Sequence, residues 1–442
     1  MKKYIMLFFG LFLSFNLLAQ DNFIIQNNSK KVIVPFQLIN NLIFIPIKVN
    51  GIELNFLLDS GVEETILFSM DEMQQVKFNN VQKIKLRGLG AEEEIEGLKS
   101  TNNTLETHGL KSENHMLYVI LDQGFNLSSH IGIPVNGIIG YKFFKNNIVE
   151  VNYVRKKITV YDNKKEIQKK LDKKFEAIPI TIERSKPYIK ASAVVDSTDI
   201  PAKLLIDIGN SDAFWVFENS KIKLPKKNFP DFLGKGFSGD IEGHRARIKS
   251  FSIADFNFKK PIVAFPDSTS IRNVKMVPGR VGSVGGEILK RFTLVMDYTD
   301  HKMYLKKNNK FGEPFTYNKS GITVQHNGLQ WVQETVHLET VQVVSTVSDV
   351  EKSESGGGGN FRYKFLLKPV YEIVNIRKNS AAEKCGLQKG DIIVSINGDR
   401  PYKLTLQQIN QLLKSEEDIF INLEVERNSL VLKFRFRLED EL

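Results

Sequence analysis

The sequence predicts a mainly β chain in which two homologous β-rich lobes precede a small α+β domain. Three observations carry this. Blocks of the first half recur in order in the second half, the runs between turns are short and rich in β-branched and aromatic residues, and a different strand–helix pattern begins after Lys307. With 442 residues, the chain has room for roughly three domains. Its 42% hydrophobic and 10% aromatic content argues against extensive disorder.

The first element is Met1–Gln20. Lys2 and Lys3 form a basic start, Tyr4 to Leu18 is apolar apart from Gly10, Ser14 and Asn16, and Ala19-Gln20 follows. This reads as a secretory signal over residues 1–20, cut near Ala19. The apolar part is short and interrupted beside the ~18 residues a membrane span needs, so an uncleaved anchor is the lesser reading. Export to the periplasm or cell envelope is expected, with secretion as the alternative. Cys385 is the single cysteine, so no intrachain disulfide is available and packing must supply stability. The 61 Lys+Arg against 51 Asp+Glu give +10, or +8 without Lys2 and Lys3. These lysines are interspersed with acids, which reads as a solvated surface and not as a nucleic-acid footprint.

The repeat defines the two lobes, expected over residues 21–165 and 166–310. Ile45–Phe68 and the stretch ending at Phe217 each carry an apolar run, Asp-x-Gly, and a second apolar run, with Asp59 and Asp207 offset by 148. Gly88–Gly97 matches Gly234–Gly243 at an offset of 146, ending in Ile-Glu-Gly in both. Gly137–Tyr161 matches the stretch from Gly282 at an offset of 145, which aligns Gly140 with Gly285 and Tyr153 with Tyr298. Only short helices are expected, for instance around Tyr141–Lys145 and Gly286–Arg291.

An aspartate following Phe56-Leu57-Leu58 or Leu204-Leu205-Ile206 is costly to bury alone. It needs donors or a second group sharing its proton, and a two-fold arrangement supplies the partner by bringing Asp59 and Asp207 together. Such a pair can hold a water, one member acting as general base and the other polarising a carbonyl. Gly61 and Gly209 lack a Cβ and let backbone N–H groups approach the carboxylates.

These motifs resemble the aspartyl proteases of retropepsin type, in the pepsin clan, as a bacterial version with both lobes on a single polypeptide. The resemblance spans roughly Val32 to Lys307. Asp59-Ser60-Gly61 matches the family's Asp-Thr/Ser-Gly and Ile138-Ile139-Gly140 its apolar-apolar-Gly element, while Asp207-Ile208-Gly209 and Ser283-Val284-Gly285 hold those places in the second lobe. It implies two β-barrel lobes and catalytic Asp59 and Asp207, supported by Ser60, Gly61, Gly209 and Asn210. It also implies substrate-covering flaps that include Gly88, Leu89, Gly90, Gly234 and Gly236. Two departures stand out. Ile208 cannot make the hydroxyl contact expected after each catalytic Asp, and Val62 and Asn210 replace a further pair of hydroxyls. With fewer donors on the carboxylates, the resemblance implies a dyad working nearer neutral pH than its pepsin-like relatives.

Gly234-Lys-Gly-Phe-Ser-Gly239 satisfies G-x-G-x-x-G, but it leads into a strand and not a helix, so no nucleotide is expected. The seven histidines are scattered, and no metal or other cofactor is expected. Glu92-Glu93-Glu94 reads as solvated, with a bias of the cleft toward basic peptides as the alternative.

The last domain is expected over residues 318–438. Ser380-Ala-Ala, Gly386-Leu387, Gly390-Asp391-Ile392 and Ile396-Asn397-Gly398 follow the order of a PDZ domain of the kind carried by bacterial envelope proteases. The resemblance implies a groove for peptide C-termini or extended segments, lined by Leu404, Ile409 and Leu412. Its strand lies near Gly321–Trp331 or Phe361–Leu367. The polar, Gly-rich Val347–Asn360 is a flexible insertion if the first strand is used and a linker if the second is. Cys385 reads as a small core residue.

The expected protein is thus an exported aspartic endopeptidase acting on polypeptides, with no nucleic-acid partner. The alternative is a catalytically inactive peptide-binding envelope protein of the same fold.

Overall fold

The computed structural model describes residues 21–68, 75–86, 95–121, 126–195, 198–219, 222–236, 239–272, 274, 276–337, 361–415 and 418–442. The expected signal segment, Gly88, Leu89 and Gly90, Glu92-Glu93-Glu94 and Val347–Asn360 lie outside these residues. The protein forms two compact units, one drawn from Met1–Phe125, Val135–Lys226 and Leu233–Pro314, the other from Asn126–Pro134, Lys227–Phe232 and Phe315–Leu442.

The first unit contains two lobes of the same local design. In the first, Leu42–Val49 turns into Ile52–Leu58 through Asn50 and Gly51, both left-handed, the backbone a tight hairpin requires. Ile52–Leu58 then lies parallel to Gly137–Ile139, which pairs antiparallel with Thr65–Phe68. In the second lobe, Lys186–Val195 pairs antiparallel with Thr198–Ile206, which lies parallel to Arg280–Val284, itself antiparallel to Phe214–Val216. Central strands buried on both faces read as continuous apolar runs. Phe56, Leu58, Leu204 and Ile206 accordingly have no exposed surface.

A continuous run of strands joins the lobes in the order Lys31–Pro35, Lys157–Tyr161, Ile148–Asn152, Phe292–Asp297, Lys302–Lys307 and Glu176–Glu183. At its middle Glu150 faces Val295. These residues are 145 positions apart, as are Gly140 and Gly285, so the pairing is symmetric about that point. The expected short helices are Tyr141–Phe144 and Gly286–Leu289.

In the second unit, Ile322–His337, Phe361–Ile376, Ile392–Ile396, Phe420–Arg427 and Leu430–Arg437 form a sheet in that order. Ile322–His337 is its edge and packs beside the helix Leu406–Leu413, so of the two strands open from the sequence this one flanks the helix. It pairs along its length with Phe361–Ile376, so the intervening stretch that holds Val347–Asn360 connects two strands of one sheet. The helix starts at Leu406, because Thr405 accepts from the Gln408 N–H and Gln408 reaches back, a capping box. Gly390-Asp391 has a structural reason too. Asp391 is buried and bidentate to Arg427, Nε–Oδ1 2.6 Å and Nη2–Oδ2 2.7 Å, a strong charge-assisted pair. No helix of the described residues is long and apolar enough to cross a membrane.

Candidate active site

Asp59 and Asp207 stand just beyond the buried strands Ile52–Leu58 and Thr198–Ile206. Each is clamped by its apolar-apolar-Gly element: Asp59 N–H donates to Ile139 O at 2.9 Å and Asp207 N–H to Val284 O at 2.9 Å. The backbone then turns back, with Val62 N–H on Asp59 O and Asn210 N–H on Asp207 O, both at 3.3 Å. Glycine is needed where the elements cross. A Cβ on Gly140 would lie 2.0 Å from Val62 O, and one on Gly285 2.5 Å from Asp212 O.

The two loops meet face to face. Asp59 and Asp207 share a side-chain hydrogen bond. A Cβ on Gly61 would be 3.1 Å from one oxygen of each carboxylate, so both converge on that glycine. Gly61 N–H donates to Asp59 Oδ1 at 2.7 Å, and Gly209 N–H also donates to Asp59. Ser60, fully buried, spans the lobes: its Oγ donates to Ile206 O at 2.7 Å and accepts from Ile208 N–H at 3.0 Å. Each such bond is worth about 1 kcal/mol. Ile208 is equally buried and returns no side-chain hydrogen bond, so the crossing is one-sided.

Asn210 also has a local role. Its Oδ1 accepts from Asp212 N–H at 2.9 Å, a local turn contact of the kind short amides favour, so this oxygen braces its own loop. The lobes are latched from outside the motifs as well. Asn41 donates to Ser211 O at 2.8 Å and to Glu287 Oε2 at 2.9 Å, and Ser185 Oγ donates to Glu63 Oε1 at 2.9 Å. Ser211 and Glu63 each stand four residues after their lobe's aspartate. Sequence reasoning passed over Asn41, Ser185 and Glu63 because nothing in their own residue types marks a cross-lobe contact.

The carboxylates open on solvent but are surrounded by dense protein, and this desolvation pushes both above the ordinary aspartate value. Asp207 is raised further, because after desolvation the neighbouring Asp59 charge opposes its ionisation. Asp59 is held back by the N–H groups of Gly61 and Gly209. The pair therefore holds on to one shared proton above the ordinary aspartate range, and the neighbouring N–H groups favour Asp59 as its anionic member. Between the ordinary value of 3.8 and the raised value of Asp207, the folded protein keeps a proton that the unfolded protein has released. Stability must fall as pH rises through that window. Asp207→Asn is expected to reduce this slope, so the variant's melting temperature should gain on wild type as pH rises above about 4. A gap constant with pH contradicts the assignment.

Comparison with known proteins finds two family matches. Residues 45–143 match the family model "Aspartyl protease", and residues 372–427 match "PDZ domain". The chain joins an aspartyl protease region of retropepsin type to a PDZ domain. Asp59, Ser60, Gly61 and the Ile138-Ile139-Gly140 element all fall inside the matched aspartyl protease segment. An aspartic proteinase from Irpex lacteus is a structural neighbour at 14% identity and a TM-score of 0.44, covering 64% of this protein and 99% of its own length. No curated protein matches the sequence.

The remaining predicted positions are placed as follows. Gly234 and Gly236 lie in the strand Asn228–Gly236, which pairs with Gly239–Arg247, so G-x-G-x-x-G runs from strand to strand. In the PDZ domain Ile409 is fully buried within the core, a correction to its reading as an open groove residue. Leu404 and Leu412 pack against that core while partly exposed. Cys385 is also packed there, with its thiol pushed up by burial and donating to Ala382 O at 3.1 Å.

Proposed function

We propose that this protein is an exported aspartic endopeptidase in which Asp59 and Asp207 activate a water, with the PDZ domain binding C-termini or extended segments of polypeptides. The observation that carries the reading is the hydrogen-bonded Asp59–Asp207 pair, set between Gly61 and Gly209 in an aspartyl protease region. In the reaction, Asp59 takes a proton from water as its oxygen attacks the peptide carbonyl carbon. Asp207 gives its proton toward the carbonyl oxygen. As the C–N bond breaks, Asp59 passes the proton it took to the nitrogen, which leaves as the amine, and Asp207 takes a proton back from the gem-diol as the carboxyl group forms, so the pair returns to a single shared proton. No covalent bond to the protein forms at any point.

Export through Met1–Gln20 to the periplasm or cell envelope, and descent of the two lobes from an internal duplication, belong to the same proposal. The competing reading is a non-catalytic peptide-binding protein, favoured by Ile208, which lacks the hydroxyl that Ser60 uses to tie one Asp-x-Gly motif to the other.

The test is incubation of the mature protein with an unstructured protein from about pH 3 to pH 8, with new peptide termini identified by mass spectrometry. Cleavage is expected with an optimum above about pH 4, because the one-proton state of the pair is moved upward. An optimum clearly below that value contradicts the electrostatic account, and no cleavage with peptide binding intact selects the competing reading.

A further inference from the structure

Beside the carboxylate pair the second lobe carries two cations for which the first lobe has no counterpart. The lobes can be aligned by their pairing. Phe44 faces Leu57 as Tyr188 faces Leu205, and Gly137 faces Phe56 as Gly282 faces Leu204. Counting back two residues in each pair sets Leu42 against Lys186 and Val135 against Arg280. Leu42 and Val135 are buried apolar residues. One lobe is therefore apolar where the other is doubly basic.

Both cations are built into place. Lys186 directly follows the left-handed Arg184-Ser185 turn, which is tied to the opposite lobe by the Ser185–Glu63 hydrogen bond. Arg280 donates from Nε to Gly282 O at 3.0 Å, lies 5.2 Å from the centre of the Phe217 ring, and stands at the irregularity where the pairing with Thr198–Ile206 shifts register. Lys186 acts electrostatically on Asp59, Asp207 and Glu63, and Arg280 on Asp207. The two also oppose each other. Tyr188 lies beside Arg280 and is itself acted on by Glu183, Arg184 and Asp207, with Lys203 over its ring. Among the described residues neither cation has an ion-pair partner. Two half-buried like charges that repel one another, with no carboxylate at ion-pair distance among the described residues, are costly, and an anion brought between them lowers that cost.

Resting on the reading of this site as a peptidase, we propose that Lys186 and Arg280 form a carboxylate-binding subsite beside the scissile bond, which makes the enzyme selective for acidic polypeptides. The carboxylate is that of a Glu or Asp side chain or the terminal carboxylate of a polypeptide. Lysine or arginine at the same substrate position would meet like charge.

The test measures kcat/KM of the full mature protein on peptides identical except for Glu, Gln or Lys beside the cleaved bond, each made with a free and with an amidated C-terminus. Glu is expected to exceed Gln by at least about 10-fold, with Lys poorest. Lys186→Met and Arg280→Met are each expected to collapse the Glu/Gln ratio toward one, and Lys186→Glu to favour the Lys peptide. The ratio is internal to each variant, so it reads selectivity even where a variant is less stable. A preference that follows the free C-terminus and not the internal Glu assigns the subsite to polypeptide ends. Equal rates for Glu and Gln with both termini, or a preference for Lys in the wild type, overturn the proposal while leaving the peptidase reading intact. Absence of cleavage of every peptide overturns both.

Discussion

Gly209→Ala is expected to lower kcat/KM by at least about 100-fold while the protein stays folded. A Cβ at residue 209 would sit 2.2 Å from Asp59 Cγ, 2.3 Å from Oδ2 and 2.6 Å from Oδ1. Real atoms cannot approach so closely, so the Asp59 carboxylate must swing away from Asp207. The obstacle is a side chain and not backbone, which is why the fold survives and the geometry does not. Misplacing a reacting group by about 1 Å costs on the order of 100-fold in rate. Gly61→Ala is the built-in comparison. Its Cβ would meet one oxygen of each aspartate at 3.1 Å, a contact relieved by a few tenths of an ångström, so its loss should be the smaller of the two. Kinetics and melting temperature of both variants check this, and wild-type kinetics for Gly209→Ala contradict it.

The difference between those glycines was not legible in the sequence, where both are simply the third residue of Asp-x-Gly. What was legible was the pairing of motifs. Asp59 and Asp207 stand out because apolar runs that must be buried deliver a carboxylate twice, in matched surroundings, and burial demands that the two charges answer each other. The apolar-apolar-Gly elements were legible for the same reason, and each accepts an aspartate N–H through its middle residue. The PDZ domain was readable because Gly390-Asp391 and Ser380 serve local turns and caps that fix residue types at fixed spacings. The rest depends on long-range register. Ile322–His337 and Phe361–Ile376 have similar strand character, and only their order in the sheet shows which one flanks the helix. Asn210 has the chemistry to donate to a carboxylate, and its oxygen also takes a local turn hydrogen bond that the residue type alone does not announce. Lys186 and Arg280 are two among many basic residues, and become distinctive only when the lobes are superposed strand by strand and their partners prove apolar.

Asp59→Asn and Asp207→Asn are each expected to lower kcat/KM by about 10⁴-fold. Asparagine keeps the size of the side chain but removes either the base that takes the proton from water or the acid that polarises the carbonyl. With one member replaced, the other cannot share its proton as before, so the hydrolytic device is lost as a unit. The effects must then be non-additive, and the double variant should be no slower than either single one. Stability moves the other way. Replacing the half-buried Asp207 by a neutral amide removes a group whose ionisation burial opposes, so the inactive variant should melt no lower than wild type near neutral pH. Loss of activity with stability kept separates a chemical role from a structural one.

The most direct measurement is therefore the cleavage rate of one unstructured polypeptide by wild type, the two single asparagine variants and the double variant, taken side by side at the wild-type optimum. The account predicts cleavage by wild type and an equally low rate in all three variants. Cleavage by either single variant at the wild-type rate, or none by wild type, contradicts it.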